Sequence, residues 1–230
     1  MPSPFQSLFT AILDDDRAKV KALLKTDPGL ARREATEERY ESKIAHWLYA
    51  GDTALHVAAA GYRVEIARML LAAGADSTPA KNRRWSQPLH YASDGCLDSP
   101  SWNAGRQVAM IRLLLKAGAN IDAQDKNEAT PLHRAVRTRC AAAVKCFLDA
   151  GADPTIRNKP GSTPFHLAVQ NTGRGGSGAE QARTAQREIL QAFLERGVRP
   201  TLKDARGKSV LEWARSHWIH QILAGNAVFR

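Results

Sequence analysis

The chain has 230 residues, 43% hydrophobic and 24% charged, and its 33 Lys and Arg against 23 Asp and Glu give a net charge of +10. That balance excludes a disordered polar tail, and no apolar run approaches the ~18 residues that a membrane span needs. The basic excess makes acidic proteins, nucleic acid and anionic lipid the candidate partner classes without choosing among them.

At the N-terminus, Met1-Pro2-Ser3-Pro4-Phe5 has no basic segment before the apolar run Leu8 to Leu13, which ends at Asp14-Asp15-Asp16. The run therefore reads as an amphipathic helix and not as a leader. Phe5, Leu8, Phe9, Ile12 and Leu13, then Val20, Leu23 and Leu24, recur at helical spacing and predict a helix pair over 4–25, closed by Asp27-Pro28-Gly29. The stretch 37–50 begins charged (Glu37, Glu38, Arg39, Glu41, Lys43) and ends apolar (Ile44, Trp47, Leu48, Tyr49). It is expected to form an extra helical finger, with Trp47 and Tyr49 either packed on the first helices or turned to a partner.

Two phrases follow and then repeat. The first is Thr53-Ala54-Leu55-His56-Val57-Ala58. It returns as Gln87-Pro88-Leu89-His90-Tyr91-Ala92, as Thr130-Pro131-Leu132-His133-Arg134-Ala135 and as Thr163-Pro164-Phe165-His166-Leu167-Ala168. A threonine before the helix caps an orphan backbone N–H, and proline at the first helical position gives up a donor the helix does not use. The second phrase is Leu70-Leu71-Ala72-Ala73-Gly74-Ala75-Asp76, with copies at Leu114 to Asn120 and Phe147 to Asp153, and its glycine is predicted to end a helix with positive φ. The spacing Leu132 to Phe165 is 33 residues, whereas Leu89 to Leu132 is 43 and Phe165 to Leu211 is 46, so two loops are inserted.

Two phrases in fixed order on this period resemble the ankyrin repeat, whose signature is Thr-Pro-Leu-His-x-Ala. The resemblance implies an all-α solenoid of stacked helix-turn-helix units with hairpin loops projecting from one edge. It divides a single domain, 1–230, into an N-terminal cap repeat 1–36, an inserted finger 37–50 and repeats 51–83, 84–126, 127–159 and 160–203. A C-terminal cap follows at 204–230, its second helix truncated or merged with its first. The loops inserted at 94–106 and 171–183 interrupt the second and fourth of these repeats. The resemblance further implies that His56, His90, His133 and His166 are structural hydrogen-bonding residues tying loops to neighbouring repeats. Stacked helices lie 8–10 Å apart, too far for successive histidines to share a metal ion.

Other chemistry-bearing patterns are weak. Gly207-Lys208-Ser209 lacks the glycine that a phosphate-binding loop needs at the position of Leu202, and the glycine cluster 173–178 follows no predicted strand. His217 and His220 lie one turn apart with no third ligand in sequence, so no metal and no cofactor are expected. Cys96, Cys140 and Cys146 form neither a Cys-x-x-Cys pair nor an even disulfide set, which points to reduced thiols and a cytoplasmic protein. No catalytic order of residues stands out, and the pattern points to a protein that binds and does not catalyse.

The loops between repeats carry Lys81, Arg83, Arg84, Lys126, Arg157, Lys159, Lys203, Arg206 and Lys208. If the repeats stack, these cations form a ladder along the projecting edge, with Trp85 among them as an aromatic anchor. Arg134 and Arg137 are expected to add to it from the concave face. The expected function is a monomeric adaptor, inhibitor or scaffold that binds an acidic partner protein through the concave face and the finger loops, with no membrane association. The alternative is a nucleic-acid-binding protein using the same ladder, against which stand the 7% aromatic content and the lack of a nucleic-acid motif.

Overall fold

The computed structural model describes residues 3–78, 82–95, 102–170 and 179–225. The helices come in consecutive pairs: α1 (Pro4–Leu13) with α2 (Arg17–Thr26), α3 (Ala54–Ala60) with α4 (Val64–Ala72), and α5 (Pro88–Ser93) with α6 (Ala104–Lys116). Then come α7 (Pro131–Arg137) with α8 (Ala141–Asp149), α9 (Pro164–Ala168) with α10 (Glu180–Glu195), and α11 (Val210–Trp213) with α12 (His217–Gly225). The odd-numbered helices stack on one another as an inner layer and the even-numbered ones as an outer layer. One apolar core runs between the layers, and Leu8, Leu55, Leu89, Leu132 and Phe165 are wholly buried in it.

The sequence phrases explain the repeat geometry. Thr53 and Thr130 each build a reciprocal cap with the histidine three residues on, a task usually done by Glu or Gln. Gly74, Gly118 and Gly151 all stand at φ between +87° and +89°, where a Cβ would be strained. Three outer helices, α4, α6 and α8, thus stop at the same place and send the chain back toward the inner layer. Thr26 ends α2, and Pro28–Arg32 continue as a 3-10 turn.

Two expectations about elements are corrected. Residues 37–50 form no helix. Strands β1 (Arg39–Glu41) and β2 (His46–Leu48) pair antiparallel, with Tyr40 opposite Trp47. Further down the same ribbon Glu34 bridges Thr53, and Gly51 N donates to Ala35 O at 2.8 Å. The insertion therefore lengthens the loop between the first and second helix pairs into one long finger. Alternating Arg-Tyr-Glu and His-Trp-Leu triplets suit a strand with one face wet, and Ala45 turns the chain at φ +49°. The C-terminal unit is likewise not a merged helix. Ala214 is extended at ψ 124°, which separates the four-residue α11 from the nine-residue α12, so the first helix is the short one.

The long finger folds back across the inner layer. Leu48 and Ile44 are buried, and Ile44 packs so closely on Gly61 that a Cβ there would come within 2.8 Å of its Cγ2. The His46 ring lies on Tyr91 with centroids 4.4 Å apart, and Lys43 pairs with Asp14. Every residue of α3 and of α5 is buried. Of the inserted loops expected at 94–106 and 171–183, residues 96–101 and 171–178 lie outside the described residues, and α6 and α10 take up the last residues of each.

Candidate partner-binding edge and hairpin groove

Four further fingers share one local construction. Each begins with Asn or Asp, and the side-chain oxygen of Asn82, Asp125, Asn158 or Asp204 accepts from backbone N–H groups up to four residues ahead. Neighbouring fingers are then joined by single backbone bonds: Lys126 N to Arg84 O at 2.8 Å, Lys159 N to Asn127 O at 2.8 Å and Ala205 N to Gly161 O at 2.9 Å. The repeated histidines complete the frame. Nε2 of His56, His90, His133 and His166 reaches the carbonyls of Ser86, Ala129, Ser162 and Lys208 at 3.0–3.1 Å. At three of these positions Nδ1 accepts from the backbone N–H of the helix cap, which places the proton on Nε2. Gly207-Lys208-Ser209 lies in the last of these fingers.

The fingers set the exposed cations along one edge. Lys126, Arg157 and Lys159 are exposed, and Arg157 also donates to Lys203 O at 3.0 Å. Arg83 is exposed and pairs with Glu38 of the long finger at 3.2 Å. Arg83 and Arg84 both lie over the Tyr49 ring, 5.4 and 5.7 Å from its centroid. Trp85 is exposed. Lys81 lies outside the described residues, as does Cys96.

Arg134 is not a surface cation. Its side chain is buried and spent on the fold: Nη1 meets Asp94 Oδ2 at 2.9 Å, Nη2 meets Asp125 Oδ2 at 2.7 Å, and Nη2 also reaches Ser86 Oγ at 2.5 Å. The register explains the correction, since Arg134 follows the motif histidine at the place held by Val57 and Tyr91, both buried. Burial opposes charge on Asp94, but Arg134 and then His46 outweigh it and hold the carboxyl below the usual range. Burial likewise works against the Arg134 charge, and Asp94 and Asp125 overcome it. Arg137, one helical turn on, is exposed, with Nη2 3.6 Å from Asp94 Oδ1.

A second buried network was not read from the sequence. Tyr91 Oη donates to the Asp52 carboxylate at 2.7–2.8 Å, and Asn82 Nδ2 donates to Asp52 Oδ1 at 2.7 Å. Burial, with Asp52 beside it, pushes the Tyr91 phenol up and keeps it a donor. The aspartate before the Thr53 cap was the available signal. These contacts fasten the long finger's base to the second and third helix pairs.

Between the long finger and the neighbouring one lies a groove of about 240 Å³ lined by Trp47, Tyr49, Arg84, Tyr91, Asp94 and Arg137, among others. Among the described residues no three His, Cys, Asp or Glu side chains come together in a metal-binding cluster. His217 Nε2 contacts Gln221, and His220 Nε2 bonds Ala214 O at 2.8 Å. Cys140 and Cys146 are free and buried, and burial raises both thiols. No helix among the described residues is long and apolar enough to cross a membrane.

Stacked helix pairs with bonded fingers define a solenoid whose work is done on its surface. Residues 101–204 match the family described as ankyrin repeats in three copies, and residues 50–83 match the single ankyrin repeat. The crystal structure of an ankyrin repeat domain from Acinetobacter baumannii, at 1.00 Å resolution, is similar over 96% of this chain and 97% of that one, with a TM-score of 0.71 and 23% sequence identity. None of the curated proteins matches. The chain belongs to the ankyrin repeat family, whose repeats generally mediate protein–protein interactions.

Proposed function

We propose that this chain is a non-catalytic interaction module that binds an acidic surface of a partner protein through its finger edge. The observation that carries the reading is the bonded succession of fingers, which presents Arg83, Arg84, Lys126, Arg157 and Lys159 from one rigid edge. A preorganised surface loses little conformational entropy on binding, and a row of like charges steers an oppositely charged partner into encounter. The long finger docks by Ile44 at Gly61 and by His46 on Tyr91, so at that place a partner meets the finger before the inner helices.

The test is affinity capture from host lysate with wild type and with a variant carrying Arg83, Arg84, Arg157 and Lys159 reversed to Glu. Nuclease is included in one arm, and a salt gradient elutes the bait. Recovery of an acidic protein that resists nuclease and is lost with the reversed variant supports the reading. A partner that the reversed variant still holds rules out the finger edge. Recovery of nuclease-sensitive material alone replaces the reading with nucleic-acid binding through the same cations.

A further inference from the structure

Four large hydrophobic side chains are exposed among the described residues, and three of them sit on the two adjacent fingers: Tyr40 at 53%, Trp47 at 52% and Trp85 at 60%. More than half of each side chain lies outside the packing that docks its finger. Ile44, Leu48 and His46 dock the long finger, while Tyr40 and Trp47 face each other across the outer side of the ribbon with centroids 5.8 Å apart. Trp85 adopts φ +53°, at the finger position where Gly161 and Gly207 stand in other repeats at φ +89° and +77°. A bulky residue in that conformation is strained, and exposure returns nothing to the fold.

The adjoining groove has the charge to match an acidic guest. Arg84 and Arg137 line it with a single carboxylate, Asp94, while Arg134 at its floor is already held by Asp94 and Asp125. Among the described residues no carboxylate pairs with Arg84. Asp94 Oδ1 is buried in the same groove and accepts no hydrogen bond from the protein. A peptide brings both halves of what is missing: an N–H for Asp94 Oδ1, which Arg137 approaches only to 3.6 Å, and a carboxylate for Arg84, which has none among the described residues, with Arg137 beside it. A phosphate chain brings only acceptors and would meet Asp94 repulsively. The groove, at about 240 Å³, is smaller than a drug-sized site and fits one or two side chains of a chain passing through.

We propose that this groove is a peptide-binding site for an extended acidic segment of a partner, in which an Asp or Glu lies beside an aromatic or aliphatic residue. The carboxylate sits between Arg84 and Arg137, and the apolar side chain lies on Trp47. Trp and Arg dominate the hot spots of protein interfaces, and the Trp47–Arg84 pair supplies both. The site rests on the reading of the chain as a protein-interaction module and names the part of the partner it reads.

The test is selection of a phage-displayed random dodecapeptide library on the immobilised full chain, followed by anisotropy titration of the enriched peptides. The variants are Trp47→Ala, Arg84→Glu and, away from the groove, the double change Arg157→Glu with Lys159→Glu. Thermal melts check that each variant folds. Enriched peptides should pair an acidic with an apolar residue, and Trp47→Ala and Arg84→Glu should each weaken them by about tenfold or more, with less than about a twofold effect of the double change. Absence of enrichment, or enriched peptides that are not acidic, overturns the proposal. Acidic peptides lost only with the double change would also overturn the groove while leaving the acidic-partner reading of the edge intact. Binding that neither set alters removes both. Displacement of the peptides from wild type by a single-stranded oligonucleotide, with the same dependence on Trp47, would reassign the groove to nucleic acid.

Discussion

At the scale of single residues the four motif histidines set both the frame and its pH dependence. Burial drives them down, His133 to about 4 and His90 to about 3, with His56 and His166 lowered in the same sense. In the unfolded chain each titrates near the ordinary ~6.5. Protons therefore favour the unfolded chain between these values: stability is whole above about pH 6.5 and falls as the pH drops toward 4. His133 alone accounts for about 2 kcal/mol lost between pH 7 and pH 5. Urea midpoints measured across that interval should fall steadily, and a flat profile would mean that the histidines are not buried neutral. The arginines of α7 offer a sharper contrast. Arg134→Ala strands the buried Asp125 and the partly buried Asp94 and should cost about 3–5 kcal/mol. Arg137→Ala removes an exposed group and should stay within about 0.5 kcal/mol by the same denaturation assay. At the tip of its finger, Trp85→Gly relieves the strained φ and should leave stability unchanged or raise it by up to about 1 kcal/mol, read as the melting temperature.

Among the elements, the long finger departs most from the repeat pattern. The repeated phrases carried the fold because each names its own geometry: Thr130 and Pro131 open a helix, His133 bonds outward, and Gly151 closes the outer helix. The insertion at 37–50 has no such phrase. Its mixture of charged and apolar residues is ambiguous between one helical face and a strand, and what decides is tertiary, the seat for Ile44 at Gly61 and for His46 at Tyr91. The candidate site was legible only where position in the repeat determines exposure. Lys126, Arg157 and Lys159 stand on fingers and are exposed. Arg134 departs from its expected exposure because its register, shared with Val57 and Tyr91, places it inside whatever its charge. The groove was invisible because it forms between fingers whose relative placement the sequence does not state. Leu48→Ala, which empties a fully enclosed site, should cost about 2–5 kcal/mol. Hydrogen exchange should show α3 amides losing protection in that variant, and unchanged exchange would mean that the finger does not shield the inner layer.

For the whole molecule the excess of +10 matters through the edge where it is presented. Association with an acidic partner should slow as salt rises, because screening over ~8 Å at physiological ionic strength weakens long-range steering more than close contacts. Stopped-flow rates at low and high salt should differ more than dissociation rates do, and equal sensitivity of both would place the charges inside the interface and not at its rim. The division of labour within each finger has a consequence for how such a protein changes over time. The finger's path is held by its opening Asn or Asp, by one backbone bond to its neighbour and by the histidine of the preceding inner helix, so side chains such as Lys126 and Lys159, which supply only their main-chain N–H to that frame, are free of structural duty. Substitutions there can be sampled without unfolding intermediates, and a lineage can retune its partner one fingertip at a time while the scaffold beneath stays the same.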